Sequence, residues 1–117
     1  MQERRKFIRS NGLVLVDYKG TQVQGKCSAF DVSGVGVRLT VDKELKVGTE
    51  VDVDLYLPGD SQPVKARGKV VWVQLCKKTK GSAIEKEKTY YYAGIEFTHI
   101  AGDNRKKVVN YVYRKLH

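Results

Sequence analysis

Between residues 13 and 97 the apolar residues of this chain recur at every second position, in short runs broken by glycine and turn residues; after Asp103 the repeat becomes helical. That change of period limits the fold more than any other feature. Val51, Val53, Leu55 and Leu57 alternate with Asp52, Asp54 and Tyr56 in the cleanest strand, which Pro58-Gly59-Asp60 ends. Leu13 to Tyr18 and Thr21 to Ser28 read as a hairpin joined at Lys19-Gly20, where the glycine is able to supply positive φ. Val35 to Thr40 is a further strand, and Val41 to Thr49, with Gly48, is a connecting loop. Val64 to Leu75 is a long strand with Ala66, Gly68, Val70 and Trp72 on one face, so Trp72 is expected in the core. Its expected partner is Tyr90 to Phe97, across a long, mobile, lysine-rich loop from Lys77 to Lys88. Val108, Val109, Val112 and Leu116 then define a helical face, with Asp103 as N-cap and Arg114 and Lys115 at the negative end of the dipole. The expected class is mainly β: a six-stranded antiparallel β-barrel with a C-terminal α-helix packed against it.

A chain of 117 residues, 41% hydrophobic, holds one domain with a single modest core. Lysine and arginine number 22 against 13 acidic residues, and the net charge of +9 favours an anionic partner without choosing its kind. No run approaches the roughly 18 apolar residues of a membrane span, and Met-Gln-Glu-Arg-Arg-Lys lacks the apolar core of a signal peptide, so a cytoplasmic location without membrane insertion is expected. Cys27 and Cys76 fit no metal or redox spacing and read as free buried thiols. His99, just past an expected strand, and the terminal His117 have no clustered partners, and the acidic residues are scattered. With no phosphate loop, nucleophile elbow or zinc spacing, the chain is not expected to be an enzyme or to hold a cofactor or metal.

Two short segments stand apart because neither has an obvious structural duty. Arg5-Lys6-Phe7-Ile8-Arg9 supplies fixed cations, and Asp31-Val32-Ser33-Gly34-Val35-Gly36 supplies a carboxylate, a hydroxyl and two glycines. In a chain with seven arginines, a pair four apart arises by accident about 0.4 times, whereas Asp, Ser and Gly in the second spacing arise about 0.03 times. Both also admit a plainer reading, as a solvated basic tail and as an ordinary turn whose Asp and Ser satisfy local amides.

Arg5 and Arg9 in an RxxxR arrangement, followed by Asp31, Ser33 and Gly36 in a [DN]xSxxG arrangement, resemble the PilZ domain. Gly68-Lys69-Val70-Val71-Trp72-Val73 is similar to a late central strand of that family, and Ala93-Gly94-Ile95-Glu96-Phe97 to its last strand. The resemblance implies a PilZ-like split-barrel, an N-terminal arm over residues 1–11, a barrel over 12–101 and a helix over 102–117. It also implies a bacterial receptor for the second messenger cyclic di-GMP that passes the signal to a partner protein, with outputs such as motility or biofilm control.

The chemistry of these residue types suits such a ligand, which carries two phosphodiester charges and two guanines. Arginine matches phosphate oxygens or guanine O6 and N7 bidentately, so Arg5 and Arg9 would clamp the ligand from a movable arm. Asp31 would accept from guanine N1–H and the amino group, and Ser33 would add a hydroxyl contact. Gly34 and Gly36 would permit positive φ and close approach of backbone amides. Arg4 is a further cation, Arg38 is open to face ligand or solvent, and Tyr90, Tyr91 and Tyr92 form an aromatic run. Two other classes stay in view: a small-barrel nucleic-acid binder, disfavoured because the basic residues form no continuous stripe with interleaved aromatics, and a PilZ-like interaction module without ligand. A monomer and a homodimer are both compatible with the sequence.

Overall fold

A computed structural model describes residues 14–76 and 89–116 of the chain. Six strands run in order: β1 (Val14–Lys19), β2 (Gln24–Val32), β3 (Gly36–Val41), β4 (Glu50–Tyr56), β5 (Val64–Leu75) and β6 (Tyr91–Ile100), followed by helix α1 (Gly102–Leu116). All pairings are antiparallel and the sheet closes on itself in the order β1-β2-β3-β6-β5-β4, with β4 returning to β1. The expected mainly β class, a six-stranded antiparallel barrel with a C-terminal helix, is what the chain adopts.

Period-two alternation builds this ring because each strand buries every other side chain. Val14, Val16 and Tyr18 of β1, Val51, Val53 and Leu55 of β4, and Val37, Leu39 and Val41 of β3 all point into one core. Leu45, from the loop after β3, joins that core, as do Val108 and Tyr111 of α1. Fully burying a side chain of this size contributes about 1.5–3 kcal/mol, so the interior dominates stability. The turn after β4 is the expected one: Asp60 N–H donates to the Leu57 carbonyl at 3.1 Å, and Gly59 has φ of +93°.

Several expectations are corrected. Trp72 lies on the outside of the barrel, because β5 shifts register against β6 between Val70 and Trp72. The extra residue reverses the parity of everything beyond it, a change that alternation alone does not reveal. Gly20 does not adopt positive φ; the β1–β2 connection is held instead by its N–H donating to the Val23 carbonyl at 2.6 Å. Helix α1 begins at Gly102, with Arg105 N–H on the Ala101 carbonyl, which leaves Asp103 in the first turn rather than at the N-cap. Val109 is exposed, and the inward stripe runs through Val108, Tyr111 and Val112. His99 lies within β6, beside the Thr98 hydroxyl at 3.3 Å, rather than past its end. Both cysteines are free and half-buried rather than fully buried. The long loop from Lys77 to Lys88 and the terminal His117 lie outside the described residues.

Candidate functional site

The Asp31–Gly36 corner joins β2 to β3. Ser33 N–H donates to the Gly36 carbonyl at 2.9 Å, and the Ser33 hydroxyl donates to that same oxygen at 3.3 Å while accepting from Val35 N–H at 3.2 Å. A serine side chain closing its own turn in this way is the local chemistry that favours Ser at such positions. The corner is then tied to its surroundings on two sides. Phe97 N–H of β6 donates to the Val35 carbonyl at 2.8 Å, and Arg105 Nε of α1 donates to the Gly34 carbonyl at 3.1 Å.

Neither glycine of the corner has positive φ, contrary to expectation. Their requirement is close approach. A Cβ on Gly36 would collide with the backbone carbonyl of Ile95, and one on Gly34 would sit 2.9 Å from a methyl of Val109. The segment therefore carries a structural duty that its sequence does not announce.

Asp31 itself projects outward, because a register shift between Ala29 and Asp31 makes Phe30 an extra residue in β2. Pairing then sets four strands in one row across the outer face: Asp31 opposite Arg38, Arg38 opposite Gly94, and Gly94 opposite Trp72. Arg38 Nε lies 3.5 Å from Asp31 Oδ2, and both side chains are more than half exposed, at 59% and 54%. Gly94 has no side chain to raise and the Trp72 indole lies across it, so a Cβ there would collide with the ring. On the neighbouring row Phe30 meets Tyr92 with ring centroids 5.0 Å apart and tilted by 56°. The result is a shallow outer ledge with a carboxylate and a guanidinium side by side and aromatic rings at its margins.

Of the residues singled out in the sequence, Asp31, Ser33, Gly34 and Gly36 fall together at this corner, with Asp31 facing the ledge. Arg4, Arg5 and Arg9 lie outside the described residues, but the attachment point of their segment does not. Val14 pairs with Ala29, two residues before Asp31 and roughly 7 Å along the strand, so residues 1–13 join the barrel beside the corner. Of the tyrosine run, Tyr91 packs against the core and Tyr92 faces outward onto Phe30. Phe30 and Tyr92 were not recognised as neighbours from sequence, because a bulge and a non-consecutive strand pairing bring them together. Arg38 and Trp72 were visible as residues but not as members of one row.

Behind the ledge, the Cys27 thiol of β2 is pushed up to about 12, chiefly by burial and further by the nearby Asp17 and Asp42 carboxylates. It is a protonated, unreactive filler at neutral pH. Among the described residues no group of histidine, cysteine and acidic side chains is placed to hold a metal, and no helix is long and apolar enough to cross a membrane.

The sequence model of the PilZ domain matches residues 2–114. No curated protein matches the chain. Among solved structures, the chain superposes on the inhibitor of motility MotI/DgrA of Bacillus subtilis with a TM-score of 0.61 at 11% identity, over 88% of this chain and 46% of that one. It superposes on the PilZ domain of YcgR from Escherichia coli, solved with c-di-GMP, with a TM-score of 0.61 at 8% identity, over 92% of this chain and 82% of that one. At such identities the likeness is one of fold, and the chain spans about half the length of MotI/DgrA.

Proposed function

The chain belongs to the PilZ domain family, and from that premise we propose that it is a non-enzymatic receptor for cyclic di-GMP that passes the bound state to a partner protein. The observation that carries this reading is the position of Asp31 on an exposed, aromatic-edged ledge at the point where residues 1–13 join the barrel. Asp31 accepts guanine N1–H and amino protons, and Arg5 and Arg9, with Arg4 as a third cation, close from the N-terminal arm onto the phosphodiesters. The Ser33-Gly34-Val35-Gly36 turn holds Asp31 in place, and the Trp72 face is available to a purine ring. Against a nucleic-acid reading stands the pairing of Lys26, Arg38, Lys65 and Arg67 with acidic neighbours, which leaves no continuous phosphate track among them.

Relay to a partner follows from the tethers on the corner. Arg105 and Val109 of α1 rest on Gly34, so a ligand that moves the corner also moves the helix flank that exposes Val109 and Tyr113. Calorimetric titration of the full chain with cyclic di-GMP is expected to give saturable heat within tens of micromolar ligand. Absence of heat and of competition in that range overturns the receptor reading. An unchanged affinity in Arg9→Ala removes the arm from it.

A further inference from the structure

We infer that Arg38 is a guanine-reading residue, paired with Asp31 so that the two side chains together recognise the base edge and set selectivity for guanine over adenine. The inference rests on the receptor reading above and goes beyond it by assigning a specificity determinant outside both motifs.

Asp31 and Arg38 are register partners on β2 and β3, and both project to the outer face. Their ion pair, at 3.5 Å and well solvated, is of the kind that water and ligands exchange readily. The pair offers two acceptor oxygens beside a planar fork of N–H donors. Guanine presents a matching order: donors at N1 and the amino group, then acceptors at O6 and N7. A carboxylate meets the first two, and a guanidinium meets the last two bidentately. Adenine opposes the pair at both points. Its unprotonated N1 faces the carboxylate and its 6-amino group faces the guanidinium, so acceptor meets acceptor and donor meets donor. The Trp72 indole lies across Gly94, the next residue in the row, and its exposed part offers an aromatic surface to the base beside the ion pair.

The alternative role for Arg38 is a phosphate cation, which would attract both dinucleotides alike. The two are separated by measuring cyclic di-GMP and cyclic di-AMP against the full chain and its Arg38→Met and Arg38→Lys variants, by direct titration and by competition. Arg38→Met is expected to weaken cyclic di-GMP about tenfold or more while leaving cyclic di-AMP within about twofold, so that selectivity falls by the same factor. Arg38→Lys keeps the charge but loses the fork, and its selectivity is expected to follow Arg38→Met. Equal weakening of both ligands, full selectivity in Arg38→Lys, or unchanged cyclic di-GMP affinity in Arg38→Met each overturns the inference while the receptor reading stands. A native chain that binds neither dinucleotide overturns both.

Discussion

The barrel has two outer faces that share β2 and β5 and treat charge in opposite ways. On the face made with β1 and β4, Lys26, Asp17, Asp54 and Lys65 stand in one row across four strands. The two facing aspartates are each held by the lysine on their far side, at 3.2 and 3.3 Å, and Tyr56 donates its hydroxyl to Asp17 at 3.1 Å. Arg67 completes the pattern against Glu50 and Asp52 at 3.7 and 3.8 Å. On the face made with β3 and β6, the corresponding row is Asp31, Arg38, Gly94 and Trp72, a single ion pair followed by a glycine over which the indole lies. Carboxylates are common to both faces. The ledge is distinguished by what stands next to the ion pair: a glycine covered by an indole rather than another rung of charges.

The sharpest way to break the second face without touching its charges is Gly36→Val. The new side chain must displace the Ile95 backbone, so stability is expected to fall by ~3 kcal/mol, read as a drop in Tm of roughly 10 °C or more, with ligand binding lost. Next comes the comparison itself, Asp31→Ala against Asp17→Ala. The first is expected to weaken cyclic di-GMP by about tenfold or more with little change in Tm. The second should leave affinity unchanged and lower Tm by only about 2 °C, an effect that shrinks in about 1 M salt. Equal loss of binding in both variants would erase the distinction between the faces.

The interior behind the shared strand β2 gives a smaller signal. Folding raises Cys27 from its ordinary 9.0 to about 12, so the folded state favours the neutral thiol. Its contribution is complete below pH 9 and is lost as pH rises from 9 towards 12. Melting curves across alkaline pH should therefore fall more steeply for the native chain than for Cys27→Ala, and identical slopes would refute the assignment. The smallest expected effect is that of Arg105→Ala, which removes the donor to Gly34: a change of about 1 °C in Tm, with faster amide exchange confined to residues 33–36.

Much of this architecture was legible in the residues. Alternation located all six strands because each has one face in water and one in the core, and the helical period located α1 for the same reason. The ledge was legible only in part. Asp31 and Ser33 stood out through their spacing, but the side to which Asp31 and Trp72 project is decided by bulges, and a bulge is set by the partner strand rather than by the strand's own sequence. The glycines of the corner were noticed for the wrong reason. Their neighbours, Ile95 and Val109, lie about sixty and seventy-five residues away, and no local pattern reports such a contact.

Those distant contacts also order events during synthesis. β3 closes against β6, Gly36 lies opposite Glu96, and the corner is pinned by Phe97 N–H, so the ledge is complete only after the other five strands have been made. β1, β2 and β4 have their partners among earlier residues and can begin to zip while the rest is still being made. A chain ending before β6 would thus present five strands of an unclosed barrel, with β3 and β5 lacking their shared partner and the corner unpinned.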